Sequence, residues 1–321
     1  MTMVNILSFS YMVNMRSISK VAMILLSIMM LLSDATHSVV LESSENYIKS
    51  TTFFLKKFKV GPGKIAVKTL LDIDFPRGHI GVKSFDVEVV DEVGNSVPLY
   101  ETYLHHWFAV KYIENITMSD YIKQSHDLRN GIKFERNDGA CQGFLLPHYW
   151  GLGGESRGTH SNLPDPFAVE LVPLKFYILD STDHVRSNGS TPIHDCQAEY
   201  TIPRNHDNDF PHVKKADIPM TKGGYLIYGT AHMHIDVINV TLYGQIIFDI
   251  VLCTSNPKYG TGKEPGNEKG YLVGMSVCYP KPDSIKIEDG EILTLESIYE
   301  KKFPTGVMGH FYIYLAEEIP N

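Results

Sequence analysis

Residues 224–253 read GYLIYGTAHMHIDVINVTLYGQIIFDIVLC, and this stretch decides the fold class. It holds three short runs rich in β-branched and aromatic residues, at 224–229, 237–244 and 246–253. Residues of that kind fit a pleated, half-buried surface. The same pattern spreads outward. Residues 81–90 (GVKSFDVEVV) alternate and then break at 91–95, and residues 57–67 (KFKVGPGKIAV) read as two short strands about a Gly-Pro-Gly turn. Residues 167–179 (FAVELVPLKFYIL), interrupted by Pro173, and residues 311–315 (FYIYL) complete the set. No long window repeats apolar residues at helical spacing. Many short strands with turn signals between them predict an all-β protein of two β-sandwich, jelly-roll-like domains after a cleaved signal peptide. The polar stretch 203–222 reads as the connection between domains. The divisions expected are 1–38 for the signal, 39–205 for the first sandwich and 206–321 for the second.

The N-terminus sets the compartment. Residues 21–32 (VAMILLSIMMLL) are apolar, follow Arg16 and Lys20, and lead into small or polar residues 34–38. That order is the plan of a secretory signal cleaved near Ser38; initiation at Met15 gives a more compact version of it. A membrane span needs about 20 apolar residues, so the mature chain is expected to be secreted to the extracellular space or apoplast, with no span. Removing 1–38 takes the formal charge from −8 to −9, because that segment carries two basic side chains and one acidic. An acidic chain argues against nucleic acid as a partner. The four cysteines, Cys141, Cys196, Cys253 and Cys278, imply two disulfides with three possible pairings. The sequential pairing closes the shortest loops. Three sequons, at Asn115, Asn188 and Asn239, fit a glycoprotein.

The histidines carry the chemistry. His232 and His234 flank Met233 at the end of a predicted strand, and residues i and i+2 of a strand share a face about 6–7 Å apart. Two such imidazoles can converge on one metal; the plain alternative is a pair of exposed strand histidines. Met308 leads into the last strand, and a thioether is a soft ligand suited to copper, although a lone Met there is as readily core packing. His310, two residues on, joins or replaces it if the strand begins early. His105 and His106 are adjacent, so both reach one ion only where a strand bulges or ends. Otherwise one is buried and one solvated. Together these groups fit two separate copper sites, one per domain. No H-E-x-x-H, G-x-G-x-x-G or Walker pattern occurs.

Six blocks carry a resemblance: residues 103–107 (YLHHW), 165–170 (DPFAVE), 194–200 (HDCQAEY), 223–234 (GGYLIYGTAHMH), 270–280 (GYLVGMSVCYP) and 305–313 (TGVMGHFYI). They resemble the plant stress-up-regulated nodulin (SURNod-type) family, which implies a secreted protein of stress or symbiosis with no assigned reaction. More distantly, the order His-His, His-x-His, Met is similar to that of the copper type II, ascorbate-dependent monooxygenases. That likeness implies one copper per sandwich, an electron-transfer ion at His105 and His106, and an oxygen-activating ion at His232, His234 and Met308. It also calls for a third histidine on a strand between the motifs. Here residues 167–171 run directly into 172–178, which leaves His148 and His160, both in predicted loops, as substitutes. The chain is therefore expected to be a secreted stress- or symbiosis-associated glycoprotein that binds copper through the His-x-His plus Met site, any activity being a copper- and ascorbate-dependent oxygenation. The alternative is a non-catalytic extracellular protein, binding a small molecule or a cell-wall polymer, with a degenerate copper site.

Overall fold

The computed structural model describes residues 2–13, 48–55, 57–68, 73, 80–110, 112–114, 132–134, 138–139, 149–169, 173–180, 185–187, 192–194, 199–202, 210–244, 250–300 and 306–319. In chain order the strands begin with β1 (Thr2–Val13), β2 (Ile48–Phe54), β3 (Phe58–Lys59), β4 (Ile80–Asp91), β5 (Trp107–Val110), β6 (Tyr112–Glu114) and β7 (Ile132–Phe134). They continue with β8 (Tyr149–Leu152), β9 (Leu174–Asp180), β10 (Val185–Ser187), β11 (Pro192–His194), β12 (His212–Pro219), β13 (Gly224–His232) and β14 (Val237–Gly244). The last are β15 (Ile250–Ser255), β16 (Pro257–Tyr259), β17 (Leu272–Met275), β18 (Val277–Cys278), β19 (Lys286–Ile287), β20 (Ile292–Tyr299) and β21 (His310–Ala316). Among the described residues there is no α-helix, and one 3-10 turn spans Gly154–Gly158. The all-β expectation holds.

Two antiparallel sheets face each other. One has the order β18-β13-β21-β9 with β19 also on β13; the other is β12-β20-β14-β15. Leu179, Leu226, Phe311, Ile313 and Leu315 of the first sheet pack with Ala216, Ile218, Val240, Leu242, Leu293 and Leu295 of the second. Each large side chain so buried contributes about 1.5–3 kcal/mol. The other face of the first sheet is covered too. Tyr312 and Tyr314 of β21, with Phe176 and Ile178 of β9, pack against Phe85 and Val87 of β4, Trp107 of β5 and Leu152 of β8. All seven residues of β21 are therefore buried, which is why its sequence is a continuous apolar run rather than an alternation.

The cysteine reading is met where it can be seen. Cys253 of β15 is bonded to Cys278 of β18, across 25 positions, with Cα atoms 5.9 Å apart. The bond joins an edge strand of one sheet to an edge strand of the other. Cys141, Cys196, Asn115, Asn188, His148, the apolar run 21–32 and the boundary at 205 lie outside the described residues. Asn239 sits on β14 opposite Ile298. β1 pairs with both β2 and β4, so residues ahead of Arg16 form a strand.

Two stretches differ from the sequence reading. Residues 212–219, read within an interdomain connection, form the edge strand β12 against β20. Its pattern buries only Ala216 and Ile218, and a strand with one open edge and one open face needs no more. Residues 256–270 (NPKYGTGKEPGNEKG), which read as a polar, glycine-rich loop, contain β16, and it pairs with β17 just beyond them.

Candidate metal centre

Three strands end in one place. β13 finishes at His232, which lies opposite His310, the first residue of β21. His310 in turn lies opposite Asp180, the last residue of β9. A row Asp180–His310–His232 thus crosses the sheet, buried to 3 %, 3 % and 2 % exposure. Past the end of β13, Met233 turns into the core between the sheets, while His234 follows the side of His232, as a residue two positions along an extended chain must.

His105 and His106 come to the same point from the other half of the chain. β5 starts only at Trp107, so the pair precedes the regular strand and its rings need not face opposite ways. Ring centres are 4.2 Å apart for His105 and His106, 5.1 Å for His106 and His232, and 5.5 Å for His105 and His234. They are 5.7 Å apart for His106 and His234 and 5.9 Å for His232 and His234. Two imidazoles on one tetrahedral ion, at a metal–nitrogen distance of about 2.0–2.1 Å, hold their ring centres about 5 Å apart. One ligand atom from each of His105, His106 and His234 lies within 4.8 Å of the others, a group that can hold a metal ion. This corrects the expectation of two separate sites: the sheet packing brings the His-His pair onto the His-x-His motif, and one cluster results.

Hydrogen bonds orient the rings. His232 Nδ1 donates to Glu155 Oε1, a carboxylate on the 3-10 turn that is itself 2 % exposed. His234 Nδ1 donates to the Gly306 carbonyl at 2.6 Å. The Gly306 carbonyl cannot donate, so Nδ1 of His234 carries the proton and Nε2 of the neutral ring keeps its lone pair; an ionised Glu155 imposes the same arrangement on His232. Among the described residues, Nε2 of His106, His232 and His234 and both ring nitrogens of His310 are buried without a hydrogen-bond partner. An unpaired buried polar atom costs about 1–3 kcal/mol. Of these rings, His232 and His234 have the opposite nitrogen held by an oxygen, the outer support that orients a metal-binding imidazole. Burial, then the neighbouring imidazoles, push His106 down to about 3. The same causes push His234 down to about 4 and His310 to about 3. These rings are neutral at physiological pH, the form that binds metal.

The surroundings are tied down. The Tyr299 hydroxyl accepts the His234 backbone N–H at 3.0 Å and donates to the Met308 carbonyl at 2.7 Å. Met308 is thereby held one hydroxyl away from His234, with its side chain buried. Gly306 has φ +66, a conformation that suits glycine and aims its carbonyl at His234. Gly153 is needed for a different reason, since a Cβ there would meet the His105 carbonyl at 2.4 Å. The 3-10 turn is fixed by Arg157, which pairs with Glu88 and, at 2.8 Å, with the fully buried Glu268. Glu268 also accepts the Leu99 N–H at 3.0 Å, so one carboxylate anchors both the turn and the segment leading to His105.

Sequence reasoning missed Glu155, Tyr299 and Asp180. Glu155 stood in a glycine-rich stretch read as loop, 77 positions from the histidine it supports. His160, weighed as a ligand, is exposed, and its carbonyl accepts the Tyr228 hydroxyl at 3.2 Å.

Likeness to solved structures is slight. The VP2 subviral particle of infectious bursal disease virus matches with 10 % identity and a TM-score of 0.22, over 70 % of this chain and 55 % of that one. The Gt strain of the same virus matches with 9 % identity and a TM-score of 0.21, over 69 % and 54 %. The chain thus spans little more than half of either, and scores this low carry no argument. A comparison with curated proteins returns no match. The profile of the family described as Stress up-regulated Nod 19 matches residues 46–171 and 170–318. The chain belongs to the Stress up-regulated Nod 19 family.

Proposed function

We propose that this chain is a secreted, stress-associated glycoprotein that binds copper at His105, His106, His232 and His234, with Met308 as an added soft ligand. The observation that carries the reading is the gathering of the His105, His106, His232 and His234 rings, with ring centres 4.2 to 5.9 Å apart, three of them with an unpaired Nε2 and two with Nδ1 held by an oxygen. Imidazole suits copper, zinc, iron and nickel; a thioether supplied by Met308 and an oxidising compartment would favour copper among them. Copper there would supply one-electron redox chemistry. The chain's own contribution is to hold the rings in place, with His105 at the solvent-exposed side of the group. Secretion is supported by the signal-like segment, the sequons and the Cys253–Cys278 bond. Binding is favoured over turnover, because among the described residues no second histidine group stands apart as an electron-transfer site for an ascorbate-dependent oxygenation.

The test is elemental analysis of protein secreted from a copper-replete host, with electron paramagnetic resonance of the oxidised form. The expected result is one copper per chain in a nitrogen-rich signal, lost in the double variant His232→Ala, His234→Ala. Protein that is folded, takes up no copper and binds none on titration overturns the reading. Ascorbate-dependent oxygen uptake by the copper form would restore the enzymatic alternative.

A further inference from the structure

One buried imidazole at the inner edge of the cluster has no structural task among the described residues. His310 opens β21 and Asp180 closes β9, and the two lie opposite each other in the ladder. Phe176, Ile178, Tyr312 and Tyr314, two or four positions away on the same strands, pack in the apolar layer beneath β5 and β8. Side chains two apart on a strand share a face, so His310 and Asp180 enter that layer as well. His106, one residue before β5, comes to the cluster from the opposite side of the layer. An apolar residue at position 310 would continue the layer at no electrostatic cost, whereas a buried polar group needs a partner.

An imidazole kept in a core for packing spends at least one ring nitrogen on a hydrogen bond. His310 is 3 % exposed and spends neither among the described residues. A carboxylate oxygen, Asp180 Oδ2, stands 3.7 Å from its Nε2, beyond hydrogen-bond distance. A turn of the ring that brings Nε2–H onto this oxygen leaves Nδ1 with its lone pair for an ion, the carboxylate–histidine–metal order of a supported ligand. The His310 ring centre is 6.3 Å from that of His232. That is about 1 Å wider than two rings on one ion require, a gap of the same order as the turn toward Asp180. The imidazoles that act on His310 are those of His232, His106 and His234. These are the other members of the cluster whose Nε2 is buried and unpaired. Four such rings match the four places of a tetrahedral ion.

We infer that His310 is a ligand of the ion, completing a buried set with His106, His232 and His234, and that Asp180 is its positioning residue. The inference rests on the copper reading and goes beyond it by naming the inner ligand. Ligation and packing predict opposite changes in stability, and that separates them. In His310→Leu the metal-free chain should show a higher denaturant midpoint at pH 7.5, since two unpaired buried nitrogens are gone. Its copper affinity, measured by competition with a chromophoric chelator, should fall by more than the roughly 10- to 100-fold that loss of an outer partner costs. Asp180→Asn should lose affinity within that outer range, with the nitrogen count unchanged in pulsed electron paramagnetic resonance. His310→Gln, which keeps a polar side chain, carries the affinity measurement if His310→Leu does not fold. A folded variant at position 310 with native copper affinity overturns the inference and leaves the copper reading standing. A folded, metal-free His310→Leu chain with a lower midpoint assigns His310 to packing and overturns it too. Native affinity in Asp180→Asn overturns the positioning role. Native protein that binds no copper overturns both the inference and the copper reading.

Discussion

Replacing Glu155 by Gln tests whether the centre depends on its supporting shell. The side chain is 2 % exposed, and its two oxygens have separate duties: Oε1 accepts His232 Nδ1–H, and Oε2 accepts the Gly153 N–H at 3.0 Å. Glutamine keeps the shape but offers one acceptor and one NH₂ donor. Either His232 or Gly153 then faces a donor with its own donor. Losing one hydrogen bond to a charged group costs about 1.5–3 kcal/mol. Spent on the orientation and basicity of His232, that is roughly a 10- to 100-fold loss of metal affinity, the range found when such outer partners are removed. The assay is competition for copper against a chromophoric chelator, with circular dichroism confirming the fold. Electron paramagnetic resonance should show the nitrogen ligands retained, since Glu155 is a positioning residue. A folded Glu155→Gln chain with native affinity would refute the reasoning. So would one whose metal signal has lost a nitrogen, since that would mean His232 had left the ion instead of binding it more weakly.

Two further outcomes follow from the same coordinates. Burial pushes His310 down to about 3 from an ordinary value of 6.5, so the unfolded chain takes up a proton there more readily than the folded one between those values. Its contribution to stability is full above pH 6.5 and falls as pH drops, by about 2 kcal/mol at pH 5; denaturant midpoints of the metal-free protein at pH 7.5 and 5 check this, and equal midpoints count against it. Removing the Cys253–Cys278 bond, which closes a loop of 25 positions, should cost about 3 kcal/mol, read as a lower midpoint in Cys253→Ser, Cys278→Ser at unchanged copper stoichiometry.

The fold was largely legible because most of its strands are locally distinctive. The runs at 224–229, 237–244 and 311–315 became β13, β14 and β21 with shifts of a few residues at most. β12 was not legible. Lys215 and Asp217 face outward from an edge strand while Lys214 shares the inward face with Ala216 and Ile218, and two buried residues are too few to fix a period. The site divided along the same line. His232 and His234 were found because their spacing is local. That they meet His105 and His106 could not be read, since no spacing rule links residues separated by more than a hundred positions. The union exists only because β5 and β8 pack on the outer face of the sheet that carries β13. Glu155 was hidden for a related reason: its turn is shaped by Gly153 and anchored by Arg157 on Glu268, contacts supplied by distant segments.

That dependence on packing also bears on what the centre can be. Two copper sites in separate sandwiches would each draw their ligands from one half of the chain, and each would survive a loosening of the other. Here the ligands come from both halves, and β9, from the first half, lies in one sheet with β21 and β13 from the second. The row Asp180–His310–His232 crosses those strands where they end. Any ion held by His106 together with His234 therefore clamps the segment before β5 to the end of β13. It would add to folding stability by mass action, about 2.7 kcal/mol at a free metal concentration one hundred times the Kd. A centre so placed is a staple between the two halves as much as a reactive site. The buried imidazoles, costly while unpaired, are the groups through which binding and folding would be coupled.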